Sequence, residues 1–324
     1  MYLAALTGLI VGVGYGYISQ RGAFCMNSGF RVVVTEGNTT KVKAYVLAIA
    51  LQMLIVPLVF ALGLSSPTYP AMFPVGAVLG GLLFGASMRW AGGCAAGVWY
   101  KVGSGSLGAL SAVLGMAVGA TAFELGPFVG LRTAIQSAGP AASNAPLHAL
   151  WVWAAVAGIV LVVILWRAAP GQAGAWSWQR TGIAMGLVGV VAWPLSSLAG
   201  RDFGMAVVPG TVSLLAEPVR RFMSWDVLFV LGIPLGAFVA ARMSGPVAVS
   251  KVSALGASKH FAGGLGLGVG ASLAAGCTVG HGLTGIPLLA PGSMLAIVSI
   301  FAGSAITSLW AQRGMNRALG QGHP

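Results

Sequence analysis

The chain has 324 residues, of which 57% are hydrophobic and only 7% charged, with 17 Lys and Arg against 5 Asp and Glu. A soluble domain carries roughly 25% charged residues, so this chain cannot clothe a water-facing surface. A soluble enzyme, a nucleic-acid binder and a disordered polypeptide are excluded. The net charge of +12 is then no sign of nucleic acid, because membrane proteins collect Lys and Arg in their cytoplasmic loops. With a mean hydropathy of +0.90 and apolar stretches recurring along its length, the chain reads as an all-α polytopic protein of the lipid bilayer.

In chain order, nine membrane-spanning helices are predicted over 2–18, 42–64, 71–88, 105–123, 147–166, 180–199, 222–241, 261–275 and 291–310. The first lacks a basic leading region and is read as a span, not a cleavable signal. Tyr2, Trp90, Trp151, Trp166, Trp178, Trp225 and Trp310 fall near segment ends, as residues of an interfacial belt do. Four pieces between the spans, 19–31, 89–104, 200–215 and 276–290, are apolar but broken by Gly and Pro. They are read as re-entrant half-helix hairpins, since irregular backbone at membrane depth survives only when protein or an aqueous path shields it.

The basic residues sort by side. One side takes thirteen of them and the other takes Arg132, Arg201, Arg220 and Arg221. That asymmetry predicts the N-terminus outside and the C-terminus in the cytoplasm.

An internal repeat organises the chain. Gly12 and Gly16 precede Cys25 by 13 and 9 residues, and Gly81 and Gly85 precede Cys94 by the same intervals. Gly264 and Gly268 precede Cys277 likewise, so the pattern G-x3-G-x8-C takes in all three cysteines. A degenerate fourth copy is read over 182–210, with Gly204 where Cys25 stands. Residues 1–124 then form a first half of four spans and two hairpins, 147–166 a linker span, 180–310 an inverted second half and 311–324 a cytoplasmic tail. Inverted repeats with broken helices meeting near the midplane are a transporter or channel architecture.

At the hairpin tips, Gly22, Gly93 and Gly276 leave backbone N–H groups open beside the cysteines. Half-helices starting there aim positive dipole ends inward, which suits an anion without burying a formal charge. Arg89 and Lys101 lie at the cytoplasmic mouth, where they attract anions. A thiol is a weak donor and a polarizable contact, so three thiols on one path point to a soft solute containing sulfur, selenium or a soft metal. A single Cys is most often a small buried residue; three in one repeat register argue against that reading. Zn or Cu(I) held by the thiols and His281 is disfavoured, because no C-x-x-C spacing occurs and the mouth is basic. No metal or other cofactor is expected. His281 reads as a polar residue lining or capping its hairpin, and Glu124 as an interfacial group paired with Arg132 or a proton-coupling site. No phosphate-binding G-x-x-x-x-G-K-[ST] loop occurs. No acid–base pair accompanies the thiols, which weakens a membrane sulfur-transfer enzyme as an alternative.

At the stretches RGAFCMN (Arg21–Asn27), GGCAAG (Gly92–Gly97) and AGCTVGHG (Ala275–Gly282) the chain resembles the YeeE/YedE family of sulfur-compound transporters. The resemblance implies a bacterial inner-membrane protein, shaped as an hourglass, that takes up thiosulfate. It maps the functional cysteines onto Cys25, Cys94 and Cys277, which would pass thiosulfate by transient S–H contacts. Arg21, which opens the first matching stretch, joins Arg89, Lys101 and His281 as accessory positions. A small TusA-like sulfur carrier is the implied cytoplasmic partner. Another sulfur or selenium species, or another small anion, stays open as the solute.

Overall fold

A computed structural model describes residues 2–66, 68, 72–139, 151–216 and 224–320. Thirteen α-helices account for nearly all of these: α1 (Tyr2–Arg21), α2 (Met26–Glu36), α3 (Thr40–Ala61), α4 (Pro74–Ala91), α5 (Ala95–Gly103), α6 (Leu107–Glu124), α7 (Val129–Ser137), α8 (Trp151–Trp166), α9 (Trp178–Ser197), α10 (Val208–Ala216), α11 (Trp225–Arg242), α12 (Ala254–Ala274) and α13 (Pro291–Gly320). A wide π-type turn at Thr278–Gly285 and a 3₁₀ turn at Ile286–Leu288 join the last two. The only paired strands among the described residues are a two-residue hairpin, Gln172–Ala173 with Trp176–Ser177.

The protein is an all-α polytopic membrane protein. Each of the nine predicted spans overlaps one long helix, and six helical stretches are long and apolar enough to cross a bilayer by length and composition. The helix α8 is apolar but has only 16 residues. Residues 71, 147–150 and 222–223 of the predicted spans, and Arg220 and Arg221, lie outside the described residues.

Three features differ from expectation. Ser253 caps α12, its Oγ accepting from Gly256 N at 3.1 Å, so the helix starts seven residues before the predicted span and carries Lys259 and His260. The last helix runs on to Gly320. Trp178 and Trp225 are not belt residues but are buried. Their N–H groups find partners inside, Trp178 on Ala169 O at 3.2 Å and Trp225 on Thr7 Oγ1 at 3.2 Å, which removes the reason to sit at an interface. Trp90, Trp166 and Trp310 do stay exposed.

The repeat glycines explain how the long helices pack. A Cβ on Gly12 or Gly16 would strike the carbonyl oxygens of Phe229 or Ile233 on α11. Gly85 stands in the same relation to Ile300 on α13, and Gly264 and Gly268 to Ala112 and Met116 on α6. The partner helices reply in kind: Gly232 and Gly236 face the carbonyls of Leu9 and Val13, and Gly115 and Gly119 those of Phe261 and Leu265. Hydrocarbon offers helices no hydrophobic drive to associate, so close backbone contact through small residues supplies the attraction. Each cysteine therefore follows a helix locked to a neighbour at glycines 9 and 13 residues upstream. Large apolar side chains point outward instead, most of all on α8, where Val152, Trp153, Ile159 and Ile164 are exposed.

Candidate functional site

The three cysteines occupy the same kind of break. Each is an extended residue immediately before a new helical turn: Cys25 (φ −142°, ψ 120°) before α2, Cys94 (φ −78°, ψ 176°) before α5, and Cys277 (φ −127°, ψ −173°) before the π-type turn. Two residues upstream the backbone turns left-handed in every case, at Ala23 (φ 46°), Gly92 (φ 75°) and Ala275 (φ 59°). Alanine in that region costs about 1–2 kcal/mol, so two of the three breaks carry strain that the surrounding packing holds in place.

The tip glycines are tightly packed. Gly22, Gly93 and Gly276 have no left-handed φ. They are small for want of room: a Cβ on Gly22 would strike the Thr181 side chain, one on Gly93 would come 3.0 Å from Val98 N, and one on Gly276 2.8 Å from His281 Nε2. The fourth copy also shifts. The new helix there is α10, which starts at Val208, so Val207 rather than Gly204 holds the position of the cysteines. Gly204 instead packs under Thr284, and its carbonyl accepts from Arg201 Nη1 at 2.6 Å.

These four helix starts converge. The thiols of Cys25 and Cys94 face each other within hydrogen-bonding reach, and Cys94 also meets the N–H of Met26 and the Thr278 hydroxyl. The Cys277 sulfur faces the backbone N–H groups of Val207, Val279 and Gly280. The buried Thr278 hydroxyl beside Cys94 has no hydrogen-bond partner. Three buried tyrosines lie near: Tyr15 is within electrostatic reach of all three sulfurs, Tyr45 of Cys94 and Cys277, and Tyr100 of Cys25 and Cys94. Tyr45 Oη donates to Thr278 O at 2.5 Å. Gly97 completes the layer, since a Cβ there would come 2.6 Å from Cys25 Sγ and 3.2 Å from Cys94 Sγ. The thiols are buried, at 2%, 3% and 1% exposure for Cys25, Cys94 and Cys277.

Two cavities approach this layer. One, of about 730 Å³, ends at Gly276, Cys277, Gly280 and His281 and is otherwise lined mainly by apolar groups such as Phe203, Val207 and Val212. The other, of about 690 Å³, is lined by Asn27, Ser28, Arg31, Arg89, Lys101, Lys259 and His260, with no acidic residue among them. The cavities share no described lining residue, and Cys25 and Cys94 line neither. The four bases of the second cavity were assigned to one face by sequence, and Arg132 of the first to the opposite face.

Of the accessory residues, Arg89 and Lys101 reach the basic cavity, where Lys101 Nζ donates to Gly92 O at 2.5 Å and so closes the end of α4. Arg21 lines neither cavity; its Nη1 donates to Ser244 Oγ at 2.7 Å on an exposed surface. His281 is buried and acts as a tie, its Nδ1 paired with Ser293 Oγ and its Nε2 with Ala274 O, each at 3.0 Å. Sequence reasoning passed over Tyr15, Tyr45, Thr278 and the central place of Gly97. Tyr15 adjoins a repeat glycine and Thr278 adjoins a repeat cysteine, so the repeat itself held a signal for both.

Fold and site together define a polytopic membrane protein with a buried thiol layer and two separate cavities beside it. The chain belongs to the Sulphur transport family, whose pattern matches residues 21–306. It is 32% identical over 331 residues to "Thiosulfate transporter TsuA" of Escherichia coli K12, covering 94% of this chain and 93% of that protein. It is 33% identical over 327 residues to "Thiosulfate transporter TsuA" of Spirochaeta thermophila, covering 92% of this chain and 96% of that protein. A shorter match of 115 residues at 32% identity joins it to "Probable transporter YedE" of Escherichia coli K12, covering 35% of this chain and 28% of that protein. The chain is a transporter rather than an enzyme.

Proposed function

We propose that this protein imports thiosulfate across the bacterial inner membrane, passing it along the thiol layer by transient contacts without covalent capture. The observation that carries the reading is the convergence of Cys25, Cys94 and Cys277 between the two cavities. The names of the two full-length relatives supply the solute. Thiosulfate couples a divalent charge to a large, soft terminal sulfur. The charge needs compensation once water is stripped away. Three α-helix N-termini and one π-type turn start at the layer, and each helix N-terminus carries about half a positive charge, with the N–H groups of the turn adding to them. The soft sulfur needs polarizable partners, and thiols supply them. Contacts this weak let the ion leave as readily as it enters, which conduction requires.

In this reading the cavity ending at Cys277 faces outside and the basic cavity faces the cytoplasm, with the N-terminus outside. Thiosulfate meets Cys277 first, then Cys94 and Cys25. Residues 1–124 and 180–310 are inverted halves around the α8 linker, giving an hourglass with its waist at the sulfurs. A TusA-like carrier receives the sulfur compound at the basic mouth. The test is uptake of labelled thiosulfate by cells that lack their own importer and carry this chain. Uptake well above the empty-vector level, unaffected by removing sulfate transport, is expected. Uptake no higher than the vector level refutes the proposal.

A further inference from the structure

The apolar cavity that ends at Cys277 holds one formal cation among its described lining residues, Arg132, and one carboxylate, Glu124. They face each other, Arg132 Nη1 donating to Glu124 Oε2 at 2.5 Å, with 22% and 27% of their side chains exposed. The contact occupies little of the guanidinium. Arginine offers five N–H donors in a fixed fork and commonly grips a carboxylate with two at once. Here a single nitrogen does so, while Nε is buried with no partner.

The position of this guanidinium is set from below. Arg132 lies on α7, and Gln136, one turn further and on the same face, donates to Ser272 O at 2.9 Å and Leu273 O at 3.2 Å. Those carbonyls sit at the end of α12, directly ahead of the break that carries Cys277. One short helix thus ties a half-used cation to the hairpin at the cavity floor.

Resting on the transport reading above, we propose that Arg132 is the anion receptor of the outer cavity and Glu124 its exchangeable counter-ion. A small divalent oxyanion entering the cavity takes over the guanidinium N–H groups, including the unused Nε–H, and displaces the singly charged carboxylate. A dianion outcompetes a monoanion for the same charged donors. When the anion moves inward, Glu124 re-forms the pair and the receptor resets. The carboxylate therefore limits affinity, as a site that must also release requires. Hard and soft oxyanions are both received here, and the soft thiol layer makes the choice between them.

The test uses the purified full chain in proteoliposomes, with labelled thiosulfate as solute and unlabelled sulfate as competitor. Arg132→Gln is expected to raise KM about tenfold, the loss of one charge-assisted contact, with maximal rate changed by less than about twofold. Sulfate should inhibit this variant less than the wild type. Arg132→Lys should fall between the two, and Glu124→Gln should lower KM. An unchanged KM in Arg132→Gln, or an unchanged or raised KM in Glu124→Gln, overturns the proposal. If Arg132→Gln does not accumulate, the isosteric Glu124→Gln decides alone. Wild-type vesicles that take up no thiosulfate would instead refute the transport reading. In that event a thermal shift of wild-type protein by thiosulfate and sulfate, absent in Arg132→Gln, still supports the receptor, and an equal shift in both overturns it.

Discussion

The two cavities are nearly equal in volume, about 730 and 690 Å³, yet opposite in chemistry. One is apolar, with a single ion pair whose charges cancel. The other gathers Arg31, Arg89, Lys101 and Lys259 with no acidic lining residue. An anion gains little by resting in the first and much by resting in the second. Under the import reading this gradient favours inward passage, and the basic mouth holds the anion against a negative cytoplasmic potential. Between them lie the buried thiols, with Lys41 and Lys101 within electrostatic reach of Cys25 and the helix starts adding to the field. Under the import reading, selection by softness at the thiols is separated in space from attraction by the basic cavity.

The sharpest way to break this comparison is to fill the space between the thiols. Gly97→Ala places a methyl within 2.6 Å of Cys25 Sγ. Uptake should fall about a hundredfold, the cost of displacing a working group by about 1 Å, while both cavities and membrane abundance stay intact. Labelled-thiosulfate flux at matched protein level reads this directly. A smaller effect is expected from Thr278→Val, which removes the unpartnered hydroxyl beside Cys94 but keeps its shape. One hydrogen bond is worth about 1 kcal/mol, so uptake should drop roughly fivefold, with no change in thermal stability.

The packing behind the layer can be separated from the layer itself. Gly16→Ala drives a methyl into the Ile233 carbonyl, whereas Gly14→Ala meets only Val188 Cγ2 at 3.5 Å. The first should cost about 1–3 kcal/mol of stability, as overpacking does, and the second almost nothing. Thermal unfolding in one detergent compares the two. Smallest of all is the basic mouth. The pair Arg89→Gln with Lys259→Gln should lower uptake about twofold at low salt and leave it unchanged at high salt, because screening already weakens such charges. Equal loss at both salt levels would mean that these residues hold structure rather than attract anions.

Much of this was legible in the sequence, for identifiable reasons. The nine apolar stretches and four broken pieces stand out because a bilayer enforces length and backbone satisfaction so strictly. The cysteine register was legible because each break reuses one spacing from its packing glycines. What escaped depends on three-dimensional closure. Tyr15 and Tyr45 look like ordinary span residues until the hairpins bring three sulfurs against them. Val207 was misplaced onto Gly204 because the fourth copy has lost both its glycine spacing and its left-handed turn, leaving only a resemblance around Arg201. That arginine has been reassigned by the fold, pairing with Asp226 at 2.8 Å and holding the loop carbonyls of Phe203 and Gly204. The short helix α7 carries no buried residue, so no core-facing stripe announced it. Its meaning lies in Arg132 and Gln136, whose partners come from other helices.

Cys94 interacts with Cys25 and with Thr278, the neighbour of Cys277. The decisive measurement is labelled-thiosulfate uptake by Cys94→Ala at membrane abundance equal to the wild type. Loss of uptake to the vector level, with Cys94→Ser recovering only part of it, is the predicted result. Uptake by Cys94→Ala at the wild-type rate would contradict passage along the sulfurs.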